Sequence, residues 1–314
     1  MALVAGIDIG GTNMTASLVD DSHRLVERIK RKTPTEGPDA VMQAVVEIVR
    51  GLDTRPSAVG LGVPGPVNDG VVTNPPNLEN WPEHVGLGAS LSDMIGVPVE
   101  VGNDANMGAL GEWVAGAGRG SRFLLGVWMG TGVGGGLVLD GRPYTGAFGG
   151  AGEFGHMVVH MDGARCGCGR RGCIEAYAGR ASMERSVDMA VAGGRSTALL
   201  DIRDDKGKDR LTSAVWEKAL DDGDGLATEL FDEAITAIGV GIGAAINLLD
   251  LDRVILGGGF AEKLGQDLAE RVTAAARPWV LLPHDDLDVA IAELGDDSGV
   301  VGAAALARAA MLLR

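Results

Sequence analysis

The sequence predicts an α/β protein of two related domains that face a cleft. Three observations predict it. A strand, a glycine turn and a second strand occur together twice: residues 3–9 run through Gly10-Gly11-Thr12 into residues 14–19, and residues 122–129 run through Gly130-Thr-Gly-Val-Gly-Gly-Gly136 into residues 137–139. Short Val/Ile/Leu runs alternate with stripes of helical period. The chain has 314 residues, enough for two domains with cores of their own.

Residues 3–9 and 14–19 read as a hairpin, followed by a third strand at 24–32. Val41, Ala44, Val45, Ile48 and Val49 give residues 39–50 a helical stripe. Residues 58–63 form a buried strand that meets the rigid turn Pro64-Gly-Pro66. Two prolines stiffen the loop 74–78 and keep it out of a sheet. A short helix at 87–95, a strand at 97–101 and a helix at 105–115 follow. In the second half, residues 174–191 are mainly helix, 193–210 a polar loop, and 226–249 a long helix interrupted by Gly239, Gly241 and Gly243. Each of these glycines costs about 1 kcal/mol against alanine, so close packing on a sheet is expected there. A strand at 251–256 enters Gly257-Gly-Gly-Phe260 and a helix at about 262–275. A last strand at 287–291 precedes a closing helix at 299–313 that packs back on the first domain. The domains are expected at 1–110, joined by the helix 299–314, and at 111–298.

Net charge is −16, which argues against non-specific nucleic-acid binding, since that requires basic surface. The acidic runs 201–209 and 221–224 read as solvated loops or helix ends with no role beyond solubility. No run approaches the ~20 apolar residues of a membrane span. The start of the chain lacks the basic and apolar regions of a signal peptide, so a cytoplasmic enzyme is expected.

The three cysteines, Cys166, Cys168 and Cys173, lie together in the segment 153–175 with His156 upstream. An odd count leaves one cysteine unpaired, which disfavours a disulfide framework. Three thiolates and an imidazole suit tetrahedral Zn²⁺ with no open position, a structural knuckle that Gly167, Gly169 and Gly172 let the backbone close. Glu153 and Glu175 stand just outside the ligands, and the knuckle's task would be to pin the loop that carries them.

Other candidates follow from local chemistry. The turn amides at Gly10 and Gly11, with the Thr12 hydroxyl, can cup a phosphate, and Asp8 can hold Mg²⁺; a plain hairpin turn explains the same residues. Asn77 can bind a substrate or cap a turn. Asn103 and Asp104 sit where a strand gives way to a helix, an address that favours ligands in α/β sheets and equally favours a simple N-cap. The Gly257–Gly259 cluster allows close approach of a nucleotide or merely a tight strand–helix turn. No GxxxxGK[ST] motif is present, and the glycine turns lie between strands, which excludes a P-loop and argues against a Rossmann site.

The order DIGGT, GVPGPV, NPPNL, GNDAN, GTGVGGG, GEFGH, CGCGRRGCIE and LGGG resembles the ROK family of repressors, open reading frames and sugar kinases, over nearly the whole chain. The resemblance implies an actin-like, ribonuclease-H-like ATPase fold with a central cleft and transfer of the ATP γ-phosphoryl group to a sugar hydroxyl. It implies Asp104 as general base, with Asn77, Asn103, Glu153, His156 and Glu175 holding sugar hydroxyls. Gly10, Gly11, Thr12, Thr131, Gly132 and Gly134 would lie along the phosphates, with Asp8 at Mg²⁺, and Gly257 and Gly258 near the adenosine. His156, Cys166, Cys168 and Cys173 would bind structural Zn²⁺, and His156 would offer its other nitrogen to the sugar. The family's repressors carry a DNA-binding domain ahead of DIGGT, which here begins at Asp8, so no nucleic-acid partner is expected. GCIEAYAGR at 172–180 looks most like the family's glucokinases, while N-acetylmannosamine, fructose and allose kinases share much of the site. Polyphosphate-using relatives as a rule lack the cysteine knuckle, which favours ATP. A non-catalytic sugar sensor would have lost the base or the glycine turns, and both are present. The family's habit implies a homo-oligomer, dimer or tetramer.

Overall fold

The computed structural model describes residues 2–282 and 287–312. Its elements in chain order begin with β1 (Val4–Ile9), β2 (Asn13–Val19), β3 (Leu25–Lys32), α1 (Pro38–Arg50) and β4 (Val59–Val63). Three short strands follow, β5 (Val67–Asn68), β6 (Val71–Thr73) and β7 (His84–Gly86), then α2 (Leu87–Ile95), β8 (Val99–Asn103) and α3 (Asp104–Ala115). The hairpin strands β9 (Phe123–Met129) and β10 (Val133–Leu139) lead to β11 (Arg142–Pro143). The rest comprises α4 (Glu175–Ala178), α5 (Arg180–Ala192), α6 (Leu199–Asp205), α7 (Ser213–Asp221), α8 (Gly225–Leu249), β12 (Arg253–Gly257), α9 (Gly259–Ala276), β13 (Asp288–Ile291) and α10 (Ser298–Leu312).

Two five-stranded sheets share one plan. Their orders are β3-β2-β1-β4-β8 and β11-β10-β9-β12-β13, so in each a hairpin pair and a third strand lie on one side and two later strands on the other. In the first sheet β2 pairs antiparallel with β1 and β3, while β4 pairs parallel with β1 and β8. This repeat of the same order bears out the α/β expectation and the paired glycine hairpins. Strands β5, β6 and β7 form a small antiparallel sheet that the sequence reading did not resolve.

The chain divides into two compact units. The first takes the residues up to Gly126, Gly136–Gly152 and those from Glu293 onward; the second takes Val127–Gly135 and Glu153–Ala292. The division falls later than the expected 110, because α3 and the base of the β9–β10 hairpin stay with the first sheet.

In the first unit the pleat of the sheet sorts side chains to two faces. Ile7 and Leu61 are buried in one core with Val41, Val45 and Ile48 of α1 and Leu87 and Leu91 of α2. Their neighbours Gly6 and Gly60 face α10, where a Cβ would collide with the carbonyls of Val300 and Ala303. The small residues of α10 let its backbone lie on the sheet and on α3, where Gly302 meets the carbonyl of Met107. The closing helix thus lies on the first sheet; its expected last residue, Leu313, is outside the described residues. The fully buried Glu112 near the end of α3 accepts bonds from the amides of Ala117, Glu293 and Leu294, which anchors the approach to α10.

In the second unit α8 packs on α9 and α4, and Phe231, Phe260 and Trp216 meet edge to face, with ring centroids 5.3 and 6.4 Å apart. The glycines of α8 serve helix and loop packing rather than the expected sheet contact. A Cβ on Gly239 would come 2.6 Å from the backbone of Ala275 in α9, one on Gly241 would meet Ile174 and Phe154, and one on Gly243 would meet Trp279. By length and composition α8 is one helix able to cross a membrane, which the sequence reading had excluded; more than half of its most apolar stretch is buried within the fold.

Three further expectations change. Residues 193–210 are not all loop, since Leu199 and Ile202 anchor α6. Strand β10 begins at Val133, so Gly134 and Gly136 are strand residues, and a Cβ on Gly136 would lie 2.5 Å from the carbonyl of Ala105. Asp224 does more than solvate: it caps α8 through the amide of Ala227 and binds Thr197 and the amide of Ala198.

Because α10 approaches α3 through a bare backbone, Gly302→Ala is expected to cost about 1–3 kcal/mol, or more, of unfolding free energy. Urea unfolding checks it, and an unchanged midpoint would contradict the packing described.

Candidate active site and metal centre

In the first unit four segments meet. The Gly10–Thr12 turn is closed by the Gly10 amide on the carbonyl of Asn13 (2.9 Å) and by Thr33, whose hydroxyl binds the carbonyl of Gly10 (2.6 Å). The loop of Asn77 lies against it, since a Cβ on Gly11 would come 2.8 Å from the Asn77 carbonyl. The Pro64-Gly65-Pro66 turn backs this loop, with Gly65 at φ +86° and its Cα hydrogen pointing at Pro75.

Asn103 ends β8 and caps α3: its Oδ1 accepts from the amide of Asn106 (3.1 Å), as the capping alternative predicts. It does more than cap. Its Nδ2 donates to the carbonyl of Gly65 (3.1 Å) and to Oδ1 of Asp104 (3.0 Å), and that oxygen also accepts from the amide of Ala105 (2.8 Å). Asp104 is thus an oriented carboxylate on the first turn of a helix, where the dipole favours its charge.

Asp8, near the end of β1, lies within reach of the charges of Asp104 and Asp296. Burial first, then the charges of Asp104 and Asp296, push its carboxyl up to about 7. Glycine lines it on two sides: a Cβ on Gly62 would come 3.4 Å from its Oδ1, and one on Gly299 3.1 Å from its Cγ. A hard divalent cation beside Asp8 would relieve this crowding of negative charge, and an aspartate suits such an ion. Asp296 escaped the sequence reading; its only signal was the acidic pair before the closing helix.

In the second unit the ligating atoms of His156, Cys166, Cys168 and Cys173 all lie within 4.8 Å of one another. Cys166 Sγ is 3.8 Å from His156 Nδ1, and Cys168 Sγ is 3.8 Å from Cys173 Sγ. A tetrahedron with Zn–S bonds of about 2.3 Å has edges of about 3.8 Å, so donor set and spacing both fit zinc. Gly169 (φ +88°) and Gly172 (φ +73°) close the knuckle in left-handed backbone; Gly167 carries no such constraint. Burial pushes the Cys166 thiol up to about 12. Cys168 is held below the usual thiol range: burial opposes this, but the Arg170 amide and the other two thiols outweigh it. A bound metal ion would remove the cost of gathering three thiolates.

Nδ1 of His156 faces the sulfurs, which leaves Nε2 on the side of Glu153 Oε2, 4.0 Å away. Glu175, at the start of α4, joins two features. Its Oε1 accepts from the Cys166 thiol (3.5 Å) and its Oε2 from the amide of Val133 (3.0 Å), directly after the Gly130–Gly132 turn. That turn closes through the Gly130 amide on the carbonyl of Gly132 (3.0 Å) and leads into Gly134 on β10. Thr131 is bound through its hydroxyl by Arg180 (3.2 Å), a residue the sequence reading quoted only within GCIEAYAGR. Gly257 ends β12 and Gly258 (φ +83°) caps α9, both against β9: a Cβ on Gly258 would lie 2.7 Å from the carbonyl of Met129.

Two sheets of one plan, each with a tight glycine turn after its first strand, define the actin-like ATPase class of α/β proteins. Within that class the chain belongs to the ROK family, whose sequence model matches residues 4–310. It is 34% identical over 315 residues to a glucokinase of Streptomyces coelicolor, with 98% of each chain covered. It is 33% identical to an N-acetylmannosamine kinase of Citrobacter koseri, covering 96% of this chain and 97% of that one. The solved ROK glucokinase of Streptomyces griseus, in complex with glucose and AMPPNP, matches with a TM-score of 0.82 and 34% identity over 98% of this chain and 100% of its own.

Metal analysis is expected to give about one Zn²⁺ per chain, lost in Cys168→Ser. A zinc-free wild-type chain with three freely reactive thiols would contradict the knuckle.

The raised Asp8 carboxyl sets a pH dependence in protein stripped of divalent cations. Asp8 binds its proton more tightly folded than unfolded, so its contribution favours folding below the ordinary carboxylate range and is lost as pH rises through about 7. Thermal unfolding should therefore show Asp8→Asn gaining stability over wild type as pH rises through that point. A pH-independent difference would contradict the assignment.

Proposed function

We propose that this chain transfers the γ-phosphoryl group of ATP to glucose, forming glucose 6-phosphate, with Asp104 as general base. The observation that carries the reading is the oriented Asp104 carboxylate, held by Asn103 and the Ala105 amide in the same unit as a glycine turn and the buried Asp8. Membership of the ROK family, and likeness to glucokinases over nearly the full length, support it.

Phosphoryl transfer asks a protein for positioning and charge neutralisation more than for covalent chemistry. Asp104 accepts the proton of the sugar hydroxyl as that oxygen attacks phosphorus. Its ionised form is matched to the two donors that orient it, so little reorganisation accompanies the step. Asn77, Asn103, Glu153, His156 and Glu175 hold the sugar's hydroxyls. His156 would help hold Zn²⁺ through Nδ1, which lies toward the Cys166 sulfur, and its Nε2 would be the nitrogen offered to a sugar hydroxyl. Gly11, Thr12, Thr131, Gly132 and Gly134 lie along the phosphates. The amide of Gly10 is already committed to Asn13, so Gly10 contributes backbone shape. Gly257 and Gly258 give room to the adenosine. Asp8 would hold Mg²⁺, which would neutralise phosphate charge, and His156, Cys166, Cys168 and Cys173 would hold Zn²⁺, which would pin the loop that carries Glu153 and Glu175. We place the enzyme in the cytoplasm as a homo-oligomer, dimer or tetramer.

A second reading keeps the mechanism and changes the sugar: an N-acetyl hexose, as in the relative that phosphorylates N-acetylmannosamine by name.

Asp104→Asn is expected to lower turnover by about 10²–10⁴-fold while calorimetry shows sugar binding retained. Turnover that persists in this variant would mean another base.

A further inference from the structure

Arg180 opens α5, and its guanidinium has no carboxylate partner among the described residues. Nη1 donates to the Ser213 hydroxyl (3.0 Å) and Nη2 to the Thr131 hydroxyl (3.2 Å), both neutral acceptors. The nearest charges do not balance it. Glu184 is committed to Arg210 Nε (3.4 Å) and the Leu211 amide (3.0 Å), and Arg210 adds a second cation nearby. Burial, then Arg210, hold the Arg180 guanidinium below its ordinary value, the mark of a cation short of negative charge.

Its position is fixed at both ends. The Arg180 amide binds the carbonyl of Gly130 (3.1 Å) and the Ala181 amide that of Thr131 (3.0 Å), so the start of α5 is stitched to the glycine turn. On the other side Gly259 leaves the guanidinium open: a Cβ there would lie 3.2 Å from Nη1 and 2.6 Å from the Ser213 hydroxyl. Arg180 therefore reaches from the Thr131 turn to the glycines that cap α9.

A half-buried cation resting on two hydroxyls is costly unless an anion joins it, and a guanidinium matches phosphate oxygens in pairs. We propose that Arg180, with the hydroxyls of Thr131 and Ser213, is a phosphate-binding site for the phosphate chain of the donor nucleotide. The assignment rests on the kinase reading above. A purely structural guanidinium, holding Thr131 to Ser213, would need its donors and not its charge.

The test separates these. Calorimetry on the full chain would measure ATP, ADP and adenosine binding to wild type, Arg180→Gln and Arg180→Lys, with glucose binding as the check of folding. Gln retains an amide donor without charge; Lys retains the charge. Arg180→Gln is expected to weaken ATP and ADP about 10- to 100-fold and to leave adenosine within about twofold, with Arg180→Lys recovering part of the loss. Equal weakening of all three ligands, or ATP binding unchanged in Arg180→Gln, would overturn the phosphate assignment alone. A wild-type chain that binds neither ATP nor ADP would overturn the kinase reading and this site with it.

Discussion

The carboxylate of Glu175 is the constraint on which the second unit's site depends. One oxygen faces the thiol of Cys166 and the other takes the amide of Val133, so the cysteine knuckle and the Gly130–Gly132 turn share one side chain. Gly132 must lack a Cβ because this carboxylate fills the space. Gly155 must lack one because the carbonyl of Val133 fills it from the other side. The link has a chemical consequence. The Glu175 charge helps raise the Cys166 thiol, and a metal that takes the thiolate removes the proton which Cys166 shares with Glu175. Oε1 is then left for another donor, while Oε2 keeps its hold on the turn. The cysteine cluster and the glycine turn are thus coupled through a group of two oxygens.

The first unit solves a charge problem instead. Asp8 is buried where Gly299 of α10 lies against it, and the charges of Asp104 and Asp296 reach it, so its carboxyl is crowded by burial and by like charge. Asp104 is set apart from this crowd by donors of its own, Asn103 and the Ala105 amide. Carboxylates with different surroundings suit different tasks, and these two differ in burial and in the donors that hold them. Packing contributes to that crowding, because Gly299 of α10 lies directly against the Asp8 side chain and Gly302 against the carbonyl of Met107.

Much of this was legible in the sequence, for identifiable reasons. Glycine between apolar runs marks backbone approach, and both hairpins and most helix limits followed from it. Ligand spacing in a short segment is a local property, so the four knuckle residues could be found without a fold. What was not legible is what needs distant chain. Asp296 and Glu112 matter through residues far away in sequence; the first shows only as one of an acidic pair, and the second has no local signature. The glycines of α8 signalled close packing, but not that the partner would be α9 and the knuckle's flank rather than a sheet. Helix α6 was hidden by its charge, since only Leu199 of its seven residues is fully buried. Asn103 posed a choice between cap and ligand; the structure shows one amide doing the capping with its oxygen and the orienting with its nitrogen.

The most direct measurement is ADP release from Mg-ATP by the purified wild-type chain against glucose, mannose, fructose, N-acetylmannosamine and N-acetylglucosamine. The account predicts turnover with a clear preference for glucose. Preference for an N-acetyl sugar would move the specificity and keep the mechanism. Sugar binding without release of ADP on any of the five would contradict the account.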